Sequence, residues 1–367
     1  MLTTGTGCVS SGLNRSRAQF YSGSFEEAAE TFENRPVRSR DQVLMLMERG
    51  TAWQAAGEYK RAIDDWLKAA DLIRALDYIR LSEKASSLII NDATQTYSGR
   101  PYERALLHAF TAKSFFMLEQ WHSAGVEARL IADGLEELNG FPDDPYTRYV
   151  AATAFELIRD YNGSRIEYTK ADELTKYLRI DPHSGIITPG TNAPSRQISP
   201  SNELILFAGI GRAPMFNMPP PAQNARWGPS PYVEIRHGNQ VLGRSYTLMT
   251  TTALAHDTER RIAAIQAAKT VTRIVIKESI ASAVEENNIL LGEILRIFLY
   301  ATEAPDTRSW QTLPNWLQVA RIPLPENATH LQLNFKSSGG TTLKTMVLET
   351  TSLPHTDGKH IFQARAW

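Results

Sequence analysis

Apolar and small residues in the first half of the chain recur in one arrangement. Gly23 precedes Phe25, Ala28 and Phe32, and Gly57, 34 residues later, precedes Tyr59, Ala62, Trp66 and Ala69. Two weaker copies follow, Glu119-Gln120-Trp121 with Ala124 and Ala128, and Arg159-Asp160-Tyr161 with Ser164, Tyr168 and Ala171. Spacings of three and four place such residues on one helix face, so residues 13–180 read as helices almost throughout. The alanines let paired helices approach closely. Phe25, Tyr59, Trp121 and Tyr161 plug the space between them, as do Phe32, Trp66 and Tyr168. Long helices over Ile63–Ala85 and Tyr102–Leu118 fill the 62 residues between Gly57 and Glu119. Pro101 suits a helix start, and Pro142 and Pro145 mark the connection between the third and fourth copies.

A period of 34 is that of a tetratricopeptide (TPR) repeat, a helical hairpin. One hairpin cannot bury its apolar face alone, so neighbours stack into a curved array with a concave side. The expectation is an open hollow that another polypeptide fills, gripped by side chains from several hairpins.

Past residue 180 the pattern changes. Residues 182–202 are rich in Gly, Pro, Ser, Thr and Asn without helical periodicity and read as a linker. Strands are predicted over Glu203–Ala208, Tyr232–Arg236 and Tyr246–Thr252, with an irregular, proline-rich excursion from Pro214 to Pro231 between the first two. From Ala253 to Tyr300 the chain reads as helical, with Ile280, Val284, Leu291 and Phe298 at helical spacing on one face of an amphipathic helix. Strands return over Leu317–Ile322, His330–Phe335, Thr342–Leu348 and His360–Gln363, and Ser337-Ser338-Gly339-Gly340 suits a hairpin turn. The fold class is therefore α+β: a TPR-like α-solenoid, then a mostly antiparallel β domain with a long amphipathic helix. The predicted divisions are a tail (1–12), the helical repeats (13–180), a linker (181–202) and a C-terminal α+β domain (203–367).

Composition narrows the function. Lysine and arginine total 39 against 40 aspartates and glutamates, and no five-residue basic run occurs, which argues against a nucleic-acid partner. The apolar tract Ile274–Leu299 carries Lys277, Glu278, Glu285, Glu286, Glu293 and Arg296, so it does not cross a bilayer cheaply. Cys8 is the one cysteine, which excludes an intramolecular disulfide or a Cys-rich metal site. Gly5-Thr6-Gly7-Cys8-Val9-Ser10-Ser11 resembles the junction where a bacterial lipoprotein precursor is cut and its cysteine acylated, although Gly5 stands where leucine is usual. Only seven residues precede Cys8. Either a signal segment lies upstream of Met1, or Cys8 is an ordinary thiol.

Catalytic signatures are weak. Gly209-Ile210-Gly211-Arg212 lacks the remainder of a phosphate-binding loop, and Pro214 stands where the helix should begin. His355 and His360 lie five apart without further ligand-spaced partners. No nucleophile elbow frames a serine. The most unusual stretch runs from Asp306 to Pro314. Its Asp306, Arg308 and Trp310 alternate, which suits either a buried helix-to-strand corner or a recognition patch.

The stretch Asp306-Thr307-Arg308-Ser309-Trp310-Gln311-Thr312-Leu313-Pro314, followed by Gln318-Val319-Ala320-Arg321 and Leu324-Pro325, resembles the C-terminal motif of an uncharacterised family of bacterial envelope lipoproteins. Tyr102-Glu103-Arg104-Ala105 with His108, and Val126-Glu127-Ala128-Arg129, are similar to the helical-half signature of that family. The resemblance spans roughly residues 15–325 in separated patches. It implies export, acylation at Cys8 and a place on the periplasmic face of the outer membrane. It points to Asp306, Arg308, Trp310, Leu313 and Pro314 as a partner-binding or structural motif. The combined expectation is a non-enzymatic, lipid-anchored periplasmic scaffold with no cofactor and no metal. Its partner would be an envelope protein or a second copy of itself, and its only membrane contact the lipid. One alternative is a cell-wall-acting enzyme with a site near Arg212 and Asp306–Arg308. Another is a cytoplasmic TPR adaptor, if Met1 is the true start.

Overall fold

The computed structural model describes residues 11–33, 39–84, 96–137, 142–192, 200–215, 221–261, 263 and 308–367. Cys8, Asp306 and residues 264–300 of the expected amphipathic helix lie outside them; a helix does begin at 251–261.

Among the described residues four helical hairpins follow in chain order: α1 (Ser11–Ser22) with α2 (Phe25–Glu33), α3 (Gln42–Ala56) with α4 (Tyr59–Lys84), α5 (Pro101–Met117) with α6 (Trp121–Glu137), and α7 (Pro145–Leu157) with α8 (Tyr161–Leu174). Each turns at the residue that the repeat pattern aligns. Gly23 and Gly57 have φ of +93° and +87°, and Glu119 and Arg159 take +57° and +63° at the equivalent places. Gly57 N–H donates to Gln54 O and Glu58 N–H to Trp53 O; Glu119 N–H to Phe116 O and Gln120 N–H to Phe115 O repeat that closure. The irregular third and fourth copies are thus the same turn without its glycine. A left-handed non-glycine residue costs roughly 1 kcal/mol. Glu119→Gly is therefore expected to stabilise the protein by about that amount, read from the urea midpoint; a lower midpoint would contradict it.

Phe32, Trp66 and Tyr168 are buried between the helices as expected, and Ala28, Ala62, Ala69 and Ala124 are fully buried. Tyr161 is a correction. It opens α8, the outer helix of the fourth hairpin, and is 62 % exposed, so it plugs nothing.

The junction of the expected repeats and linker is an ordered hairpin: β1 (Leu178–Ile180), at the end of the span expected to be helical, pairs antiparallel with β2 (Ile187–Pro189), inside the expected linker. Asp181 Oδ1 accepts from the amides of His183 and Ser184, and the Tyr149 hydroxyl donates to Gly185 O at 2.6 Å. Strands of three residues carry too little alternation to be read from sequence.

The remaining strands are β3 (Glu203–Ile210), β4 (Tyr232–His237), β5 (Gln240–Arg244), β6 (Tyr246–Thr250), β7 (Trp316–Pro323), β8 (His330–Lys336), β9 (Thr342–Glu349), β10 (His355–Thr356) and β11 (Lys359–Ala366). They form two sheets, ordered β10-β11-β3-β7-β6 and β5-β4-β8-β9. Pairing is antiparallel except between β3 and β11. Strand β3 explains the layering. Its Leu204, Leu206, Ala208 and Ile210 meet Val233, Ile235, Leu333 and Phe335 of the second sheet. Its Ile205 and Phe207 join the helical core. A run buried on both faces has no polar alternation, and Glu203–Ile210 has none after its first residue.

The expected open hollow is corrected by this arrangement. All thirteen residues of α7 are buried, and α5 and α7 pack against β11, β6 and β7. Inner helices that are apolar on nearly every side require a cover, and the five-stranded sheet of the same chain supplies it.

Candidate functional site

The motif residues lie along the inner side of the repeats. Arg308 donates to Asp41 Oδ1 at 2.7 Å and to Arg40 O at 3.0 Å. The amide of Trp310 donates to Glu103 Oε1 at 2.8 Å, and that of Gln311 to Glu48 Oε1 at 3.0 Å. Glu48 is held by Arg17, whose guanidinium also reaches Ser309 O. The Trp310 indole packs on Trp66 and Phe110, with centroids 6.2 and 5.7 Å apart, and donates to Thr51 Oγ1 at 2.9 Å. Leu313 is fully buried, and Pro314 lies so close to Gly209 that a Cβ there would meet it at 2.8 Å. The chain therefore lays its own segment 308–314, which turns at Gln311–Thr312, along the hollow. Carboxylates of successive repeats take its amides, much as a repeat groove holds a foreign peptide. Patches far apart in sequence, around Glu103 and around Trp310, meet here.

A second lock joins α7 and α8 to the sheet. Arg321 of β7 is fully buried and forms paired bonds to Glu156 and to Glu203, at 2.6–2.9 Å, with a further bond to the Tyr168 hydroxyl. Burial pushes the Glu156 carboxyl up, but Arg321 outweighs it and the net shift is downward.

Beside the first lock lies a cavity of about 300 Å3 between α3, α5 and the edge of β11. Phe110 and Thr51, which contact Trp310, also line it, with Phe207, Phe362 and Trp367 among its further aromatic walls. Lys113 of α5, Lys344 of β9 and Arg365 of β11 reach it; its lining contains no aspartate or glutamate. Lys113 is 6 % exposed. Its ammonium sits 3.6 Å from the Phe110 ring centroid, and burial lowers its pKa to about 7, helped by Arg365.

Arg212 stacks on Tyr21, 3.8 Å from the ring centroid, in a separate cavity. Arg308 lines neither of these two cavities. His355 and His360 stack across the β10–β11 turn with centroids 5.1 Å apart. Sequence reading missed Glu48, Glu103 as an acceptor, Arg17 and Lys113. For Lys113 a signal existed: it is the one charge after His108 in the apolar stretch His108–Phe116.

No protein-family model matches the chain, and no curated protein matches it. Among solved structures it is similar to "MamA RS-1 ArsTM double mutant" (15 % identity, 46 % of this chain and 77 % of that one, TM-score 0.32). It is similar also to "MamA 41-end from Desulfovibrio magneticus RS-1" (15 % identity, the same coverages, TM-score 0.30).

Proposed function

We propose that the protein is a non-enzymatic scaffold of the bacterial envelope that binds a protein partner through the outer helices of its repeats. The observation that carries this reading is the occupied hollow. With residues 308–314 and the sheet seated on the inner helices, the free repeat surface is the outer layer, α4, α6 and α8. Large apolar side chains are exposed there: Leu67 and Tyr78 on α4, Val126 and Leu130 on α6, and Tyr161 and Ile166 on α8. Val126 and Ile166, each about half exposed, are the positions at which a partner on this layer would be met.

Photo-crosslinking residues placed at Val126 and Ile166 are expected to capture one discrete polypeptide in cells, while the same probe at Thr51 captures none. Capture from Thr51 alone would overturn the reading. Among the described residues no helix is long and apolar enough to cross a membrane. The proposed attachment is an acyl chain on Cys8, as the lipoprotein resemblance suggests. Cys8→Ser is then expected to move the protein from the membrane to the soluble fraction without changing its melting temperature; retention in the membrane fraction would refute the anchor.

A further inference from the structure

The cavity behind Trp310 has a property that neither a structural filler nor a protein-docking surface requires. Its lining carries three cationic side chains from three different elements, Lys113, Lys344 and Arg365, and no aspartate or glutamate. Lys113 has no hydrogen-bond or ion-pair partner among the described residues; its contacts are the faces of Phe110 and Tyr146. The Arg365 guanidinium donates one N–H to Thr312 O, while its Nε is buried without a partner. Lys344 reaches over from β9, donates to Arg365 O at 2.9 Å and lies exposed at the rim. Buried charges are ordinarily paired. Elsewhere this chain follows that rule, as with Arg17, Arg148 and Arg321.

We propose that this cavity is a binding site for a small organic anion with an apolar, aromatic-sized body. Its acid group would be seated against Lys113 and Arg365. The anion supplies the missing countercharge, and Phe110, Phe207 and Phe362 enclose the apolar body. The volume of about 300 Å3 lies at the small end of ligand pockets, which run from about 300 to 1,000 Å3, so the ligand is of one-ring size. The remaining titratable side chains on the lining are Tyr59 of α4 and Tyr146 of α7, and neither supplies a negative charge near neutral pH. An anion next to Lys113 favours its protonated form. Binding therefore takes up a proton once the solution pH exceeds the pKa of the free site, and affinity falls as pH rises from 6 to 9.

The test is ligand-observed NMR titration of the whole chain with phenylacetate, phenyl phosphate, phenylacetamide and inorganic phosphate. Saturable binding of phenylacetate or phenyl phosphate is expected, with phenylacetamide and inorganic phosphate at least tenfold weaker. The better of the first two tells whether the acid is a carboxylate or a phosphate. Lys113→Met, which keeps the side-chain volume, is expected to weaken the preferred ligand at least tenfold and to abolish the fall with pH. The surface variant Lys68→Met is expected to leave both unchanged. Equal binding of phenylacetamide, unaltered binding by a folded Lys113→Met protein, or no binding by any of the four probes would overturn the proposal. None of these outcomes bears on the outer-helix partner site.

Discussion

Replacing Arg321 by methionine is expected to destabilise the protein by about 3–5 kcal/mol, the usual consequence of removing one partner from a buried ion network. The side chain is fully buried, and Glu156 and Glu203 are nearly so. Without the guanidinium two carboxylates would remain in a dry interface, with Glu156 keeping the Tyr168 hydroxyl at 2.8 Å and Lys359 at 3.6 Å. The cost comes from the stranded charges, not from the loss of a large gain. Arg321→Met combined with Glu156→Gln and Glu203→Gln is therefore expected to recover most of it. Urea unfolding of the single and triple variants separates these cases, and a triple variant as unstable as the single would contradict the account. The pH direction follows from Glu156, whose folded pKa is depressed. Its stabilisation is complete above the ordinary carboxylate range and is lost as pH falls through the lower, folded value.

Lys113→Met is expected to act in the opposite sense and raise stability, by up to about 4–5 kcal/mol near pH 6. The native side chain loses its hydration without gaining a carboxylate, and methionine fills similar space without charge. Burial lowers the folded pKa to about 7, against roughly 10.4 for the unfolded chain. Below pH 7 both states hold the proton and the penalty is at its full size. Between about 7 and 10.4 the unfolded chain binds more protons, so wild-type stability rises with pH, by up to about 1.4 kcal/mol per unit. The variant is expected to lack this rise, and the gap between the two proteins to close toward pH 10. Thermal melts across pH 6–10 measure it; a variant less stable at pH 6 would sink the argument. Retention of so costly a group is what a binding role predicts and what a packing role does not.

Much of the architecture was legible because its cause is local. Gly23 and Gly57 are needed where a helix must turn through left-handed backbone. The aromatic and small residues after them have the periodicity of paired helices, which is why Glu119 and Arg159 could be aligned with them although neither is a glycine. The apolar run Leu204–Ala208 announced a central strand, and Ser337–Gly340 a hairpin. Strands β1, β2 and β5 were not legible, being short or largely polar, and held by pairing rather than by a buried face.

The chain on its own determined that helical hairpins come first, strands later, and that Arg308 to Pro314 is unlike its surroundings. It did not determine that these parts close on one another. The concave side of a repeat array is apolar whether a foreign peptide or the chain's own segment covers it, so composition and spacing are the same in both cases. Only the fold brings Trp310 to Glu103 and Thr51, over 200 residues away. Only the fold sets Lys113 beside Arg365 rather than beside a carboxylate. Countercharge is a property of neighbours in space, and no periodicity along a chain encodes it.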